Sequence, residues 1–511
     1  MAYINGHADV PDANSFAEVA LLGMIDSGLS GPRVGAARIR EMQWSLAWLA
    51  ATITAAAAAG ATVGRGEFKF AALPVVGLAA AAFARVPAAG YIAILWSVGT
   101  AVDMLALPEV GVSSLQFVPA EVLLWIALGS LLFLRGDVRR ALSSLAMRRE
   151  SVVVAIFLAA VVGGVAVGVE NGASFHEATF GMRYMLFYAA FWPALAALTK
   201  GRWRTLFTVV SAGVVVVVIL QVLQVMVGPT RRLFLIASSD LASSLTSDTA
   251  GFLRVRPPGL TTVYIVAGFA LARALWGPPR GRLLGWGMAA VALTGVILSL
   301  NRNMLLGLAL GLSAAALIAP QKHRFVVMVA TLGLVLSGLA LLAQGAAVES
   351  NPIASRIASL TNYSGLKTQT LNDRFYENHL ALQRIQEHPI GGLGWGPDYG
   401  ATLVTSDDGF PVSQPRSFMH QQYLWIWMRA GIIGLLALIT MLALGIWNGA
   451  RWCRVRHGKD DAWLGAGVIV ALVAMAASSN VAIYLTPPDS TVPLVGVLAL
   501  AAVMRRDLVR P

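Results

Sequence analysis

Between Asn372 and Gly396 the chain reads NDRFYENHLALQRIQEHPIGGLGWG. Taken as a helix over 371–388, this stretch sets Arg374, Glu377, Arg384 and His388 on one face. Leu371, Phe375, Leu382 and Ile385 fall on the neighbouring face at the 100° step of an α-helix. Guanidiniums collected on one face can take a diphosphate through paired, charge-assisted hydrogen bonds. Pro389 stops the helix, and Gly391, Gly392, Gly394 and Gly396 follow as a loop whose backbone can come close to a ligand. The bland alternative is an interfacial helix ended by a turn. Beyond this loop, His420 stands in SFMHQQYLWIWMRAGIIGLL. An imidazole titrates near neutral pH and suits general acid–base chemistry, although a single histidine at a membrane boundary can also be a headgroup-level polar residue.

Two further cationic positions stand out. Asn301, Arg302 and Asn303 separate two apolar segments with almost no loop. An arginine so close to hydrocarbon must face protein, bind an anion or snorkel. Arg254 and Arg256 precede Pro257 and Pro258 at the head of another apolar segment, where a plain basic flank would look the same. Anion- or substrate-binding roles are therefore open to Arg254, Arg256, Arg302, Arg374, Glu377, Arg384, His388 and Gly394, and an acid–base role to His420.

The elements that must hold these residues are membrane helices. The 511 residues are 57% hydrophobic and 13% charged, with mean hydropathy +0.69. Soluble domains carry about 25% charged residues. Apolar segments near 43–64, 69–84, 88–107, 117–134, 151–169, 179–198, 203–227, 258–276, 282–300, 303–319, 324–344, 418–447, 462–485 and 491–504 predict an all-α, polytopic integral membrane protein with about 12–14 transmembrane helices. The organisation expected is a cytoplasmic segment 1–42, helices over 43–344 with a medium periplasmic loop 228–257, a large periplasmic loop 345–417 with interfacial helices, and 418–511 as closing helices and cytoplasmic tail. No cleavable leader is expected, since the first apolar run should itself insert.

The net charge of +12 does not mark a nucleic-acid binder. Its arginines and lysines fall in small clusters on alternate loops, as the positive-inside rule produces, and put both termini in the cytoplasm. The basic residues of 228–257 and 345–417 break that trend. Binding an anion would explain them, as would the indifference of long loops to charge. Metal chemistry is not expected: only Asp407 and Asp408 are adjacent among the external acids, and a hard cation wants several converging oxygens. The single cysteine, Cys453, permits no internal disulfide and reads as apolar filler. No cofactor is expected.

Three stretches together resemble the O-antigen ligase and polymerase superfamily of bacterial envelope glycosyltransferases. RPPGLTTVYIVAGFALA resembles the family's arginine–glycine entry into a central span. SLNRNMLLGLALG resembles its arginine motif between two spans, with Asn301 where the family often has serine. RFYENHLALQRIQEHPIGGLGWG followed by HQQYLWIWMRAGIIGLL resembles the arginine helix, Pro–Gly turn and histidine-led helix of its signature. The resemblance covers about 250–445. It implies a bacterial inner-membrane enzyme that takes a glycan from undecaprenyl diphosphate at the periplasmic face and passes it to a glycan or lipid-glycan acceptor. It needs neither metal nor nucleotide, and it works among membrane lipid and polysaccharide-assembly partners. On this resemblance Arg302 and Arg374 hold the diphosphate, His420 acts at the acceptor, and Arg256 is a weaker match.

Two other classes compete with this one. A transporter or flippase of lipid-linked glycans would favour paired repeats and broken helices near the midplane, and neither is visible in the sequence. A membrane scaffold leaves the concentration of arginine and histidine unexplained.

Overall fold

A helix that is apolar on every side belongs inside a bundle, and one that is apolar but sparsely buried faces lipid. Both kinds are present in the computed structural model, which describes residues 72–99, 110–112, 115–134, 136–146, 148–199, 203–228, 233–234, 255–299, 301–318, 366–400, 419–482 and 484–509. The helices are α1 (Ala72–Arg85), α2 (Pro87–Val98), α3 (Pro119–Ser130), α4 (Gly136–Ala146), α5 (Arg149–Glu170), α6 (Phe175–Met182), α7 (Phe191–Leu198) and α8 (Trp203–Val227). They continue with α9 (Leu260–Trp276), α10 (Pro279–Leu298), α11 (Arg302–Ile318), α12 (Leu366–Glu387), α13 (Gln422–Val455), α14 (Trp463–Ser478) and α15 (Pro488–Val509). The β-structure among the described residues is one short antiparallel pair, Val110–Val112 with Leu115–Phe117, in which Gly111 faces Gln116.

The core lies around α9 and α14. They have 17 and 16 residues, and nearly every side chain along them is buried. Helix α14 packs against α9, α11 and α13. By contrast α5, α8, α10 and α13 are long and apolar enough to cross a membrane, yet only 33%, 28%, 33% and 44% of their apolar windows is buried. Leu132, Phe133, Met226, Leu283 and Leu317 are all more than 70% exposed, the pattern of side chains that meet acyl chains. The protein is a multi-pass, all-helical membrane protein.

Several expected spans are broken. The segments 69–84 and 88–107 give α1 and α2, a pair bent by 119° that can count as one broken span. Pro87 opens α2 and forces Val86 out of helical geometry (φ −130°, ψ 78°), because proline crowds the residue before it. The segment 179–198 is divided into α6, a 3₁₀ stretch Arg183–Ala190, and α7. Near this break Arg183 pairs with the buried Glu121 (Nε to Oε1 2.6 Å), and the same carboxylate accepts the Val118 N–H at the head of α3. With each bent pair counted once, up to five described helices pass as spans. The expected segments 1–42, 43–64 and 324–344, and most of the loops 228–257 and 345–417, lie outside the described residues.

Helix α13 is not one continuous helix. Gly431 sits at φ 69°, ψ −179°, in the left-handed half of backbone space that glycine alone enters cheaply. The break frees carbonyls and N–H groups that a membrane cannot satisfy. The loop after α12 satisfies them. Met428 O accepts the N–H groups of Leu393 (2.6 Å) and Gly394 (3.2 Å), and Ile432 N donates to Ile390 O (3.0 Å).

Candidate functional site

The residues 374–388 divide into two environments. Arg374, Glu377, Ala381 and Ile385 recur at helical spacing on the inner side of α12, with Glu377, Ala381 and Ile385 buried and Arg374 half-buried. Phe375, Tyr376 and Leu382 point outward at 70%, 49% and 41% exposure. The expected apolar face is therefore divided, since Ile385 packs inward while Phe375 and Leu382 remain open.

Glu377 meets His420. Its Oε2 accepts from His420 Nδ1 at 3.1 Å and lies 3.5 Å from the His420 backbone nitrogen. An ionised carboxylate only accepts, so Nδ1 carries the proton in this pair and Nε2 is the basic nitrogen of the ring. The glutamate is 3% exposed and the imidazole 28%, so the acceptor is dry and the ring reaches open space. One turn away on α12, the Arg374 Nε is buried with no hydrogen-bond partner among the described residues. Burial also holds its guanidinium below the ordinary arginine pKa. A desolvated, incompletely partnered guanidinium favours an incoming anion.

The two glutamines after His420 fix its position. Gln421 caps α13, its side-chain oxygen accepting the N–H groups of Tyr423 (2.8 Å) and Leu424 (3.0 Å). Gln422 is fully buried; its backbone N–H donates to Ser479 O (3.1 Å), and Tyr423 Oη donates to Ala476 O (2.9 Å). These bonds tie His420 to the end of α14. The same end of α14 reaches the start of α11, because Ser478 Oγ donates to Asn303 O (3.0 Å) and shares a hydrogen bond with Tyr264 Oη (3.0 Å).

Beside it, the Asn301 side chain donates to Tyr484 Oη, and exposed Arg256 acts electrostatically on that tyrosine. Gln221, fully buried in α8, donates to both Val255 O and Gly295 O at 2.9 Å and so anchors the segment that carries Arg256. Hydrogen bonds thus link the backbones that carry Arg374, His420, Arg302 and Arg256 at one end of the bundle. Arg254 and the side chain of Arg302 lie outside the described residues.

Arg384 and His388 are elsewhere. They lie on the last turn of α12 and just after it, Arg384 about 15 Å along the axis from Arg374 and His388 farther still. Arg384 binds Glu387 at 2.9 Å, and His388 is exposed. The glycine loop turns its backbone toward protein. Trp395 N donates to Gly164 O (3.0 Å), Trp395 Nε1 to Val161 O (2.8 Å) and Asn171 Nδ2 to Leu393 O (3.0 Å). A Cβ on Gly168 would come within 1.9 Å of Trp395 O, so the Gly164–Gly168 notch of α5 exists to seat this loop. Gly394 gives its N–H to Met428 O and its carbonyl to Arg429 Nη1 (2.8 Å), which also donates to Pro397 O (2.7 Å) and stacks on Trp425. The close approach made possible by Gly394 is to α5 and α13.

Sequence reasoning missed the Glu377–His420 pair, the junction formed by Ser478 and Tyr484, and the use of Arg429 as a clamp on the loop. The HQQ triplet was the available signal for a histidine held on both sides. Among the described residues no three His, Cys, Asp or Glu side chains converge.

Residues 287–439 match the family model described as O-antigen ligase. No curated protein matches the chain. The matched stretch contains the start of α11, all of α12, the glycine loop, His420 and the break in α13, and it supports the resemblance to the O-antigen ligase and polymerase superfamily.

Proposed function

We propose, with an O-antigen ligase-type site as the premise, that the protein transfers a glycan from undecaprenyl diphosphate to a hydroxyl of a glycan or lipid-glycan acceptor at the periplasmic face of the bacterial inner membrane. The family match supports glycosyl transfer of the ligase or polymerase kind in general; donor, side and mechanism are our reading. The observation that carries it is the pairing of His420 Nδ1 with the buried Glu377, one helical turn from Arg374.

The acceptor oxygen attacks the anomeric carbon as its proton passes to His420 Nε2. The bond from that carbon to the diphosphate oxygen breaks, and its electron pair leaves with undecaprenyl diphosphate. Displacement in one step inverts the anomeric centre. Arg374 and Arg302 hold the diphosphate and stabilise the charge that grows on it, which lowers the barrier because the interaction is strongest in the transition state. Glu377 fixes the histidine tautomer and stabilises the imidazolium. Arg256, with Arg254, extends the cationic rim. Arg384 and His388 are reserved for the glycan beyond the reacting sugar, and Gly394 supports the frame. No metal step is needed in this scheme.

The test is a purified assay with lipid-linked donor, scored for a new glycosidic bond. His420→Ala, Arg302→Ala and Arg374→Ala should each abolish most turnover; near-normal turnover in all three would refute the reading. Donor that crosses reconstituted vesicles without forming product would instead assign the chain to the flippases. A mass spectrum of lipid-linked glycan accumulating in a deletion strain distinguishes polymerase from ligase: single repeats for the first, finished chains for the second.

A further inference from the structure

At the other end of the bundle, two arginines form no ion pair with an acid among the described residues. Helix α14 runs from Trp463 to Ser478, so Trp463 lies about 24 Å from the His420 end. Arg273, on the last turn of α9, stacks on Trp463 with its guanidinium carbon 5.4 Å from the ring centre. Arg204, at the head of α8, stacks on Trp203 at 5.3 Å, and the two arginines are close enough to repel each other. Neither has an acidic partner among the described residues. Arg273 Nε is buried without a hydrogen-bond partner among the described residues, and so is Trp276 Nε1 one turn on.

These cations border an apolar groove. Trp203, Phe207, Phe269, Leu464, Val210 and Val266 line it; it is an open cleft with a free volume of about 90 Å³, not an enclosed cavity. The aromatic rings Trp203, Phe207, Phe269 and Trp463 form a continuous edge-to-face chain that joins the groove to the arginines. A groove that is apolar along its walls and cationic at its mouth is complementary to one molecule class: an anion carried on a hydrocarbon chain.

We propose that this groove is a binding site for an anionic phospholipid, with the lipid phosphate on Arg204 and Arg273 and one acyl chain along α8 and α9. Basic pockets between helices bind acidic lipid headgroups through this combination. The site is separate from the transfer chemistry and does not depend on that reading. It would hold a lipid of the leaflet opposite His420 and fix α8 to the core helices α9 and α14.

The experiment is native mass spectrometry of the full-length protein in detergent, titrated in parallel with phosphatidylglycerol, phosphatidylcholine, undecaprenyl phosphate and inorganic phosphate. Phosphatidylglycerol should be retained in preference to phosphatidylcholine. Arg204→Ala should weaken retention about fivefold, and the pair Arg204→Ala with Arg273→Gln about thirtyfold. Val210→Phe, which fills the groove and leaves both cations, should weaken it as well. Arg451→Ala, another exposed arginine at this end, should not. Equal retention of phosphatidylcholine, unchanged binding in the arginine variants, or displacement of the lipid by inorganic phosphate alone would overturn the proposal. Preference for undecaprenyl phosphate would overturn it too, by assigning the groove to the carrier. Because the readout is lipid retention, a negative result here leaves the transferase assay unaffected, and the reverse also holds.

Discussion

Two clusters of arginine, glutamate and polar amide sit at opposite ends of helices α5 and α13. Around Glu150 the charges neutralise one another: its carboxylate accepts from Asn448 Nδ2 (2.9 Å) and Arg505 Nη1 (3.0 Å), and Arg149 reaches both Glu150 and Asn448 at 3.4 Å. Three helices are joined with the acid 7% exposed. Around Glu377 the same residue types are arranged differently. The acid is just as buried, yet it holds an imidazole that is partly open, and the arginine one turn away keeps a buried Nε without a partner among the described residues. The first cluster consumes its own electrostatics and works as a clamp. The second leaves part of its cationic charge uncompensated among the described residues. Residue type therefore does not tell the two clusters apart; the internal partners do.

That contrast can be broken most sharply at His420. His420→Ala should lower turnover by about 10²–10⁴, the usual share of a positioned acid–base group, with the melting temperature unchanged. Wild-type rates would remove the functional half of the comparison. Next come the two isosteric glutamines. Glu377→Gln should reduce turnover toward the low end of that range, about 10², because the amide can no longer stabilise an imidazolium. Its melting curve should stay close to wild type. Glu150→Gln should do the reverse, costing about 1–3 kcal/mol of stability with turnover per folded molecule intact, since Arg505 and Arg149 lose their acid. Thermal unfolding and steady-state assays on the same preparations decide both, and identical behaviour of the two variants would erase the distinction. The smallest effect belongs to Arg384→Ala. An exposed i,i+3 pair contributes about 0.3–0.5 kcal/mol, so stability should barely move. A change confined to KM for long glycans would keep Arg384 as a distal contact, and no kinetic change would retire it.

The helical character and the polar interruption are legible in the sequence, because hydropathy is a local property. The rest depends on partners far along the chain. Glu377 and His420 are 43 residues apart, so nothing near either one shows that they touch. The glycine turn looked like a ligand cradle because closeness of approach is readable from glycine and the approaching object is not. Gly164 and Gly168 of α5 receive it. Gly431 reads as a helix interior in AGIIGLL, and only the docking of Ile390 beside it makes the left-handed conformation stable. The bend at Pro87 could have been anticipated from proline alone, whereas the 3₁₀ stretch at Arg183–Ala190 has no comparable signal.

The seat of Trp395 on α5 also sets an order of assembly. Its indole reaches back to Val161 across 234 positions of chain, and its backbone fills the notch at Gly164 and Gly168. A nascent chain that ends before this tryptophan has already inserted α5 with that notch uncovered, and α13 cannot bend stably at Gly431 until residues 390–394 arrive to take up its loose backbone groups. The junction of the glycine loop with α5 and α13 is therefore among the last parts of the molecule to mature.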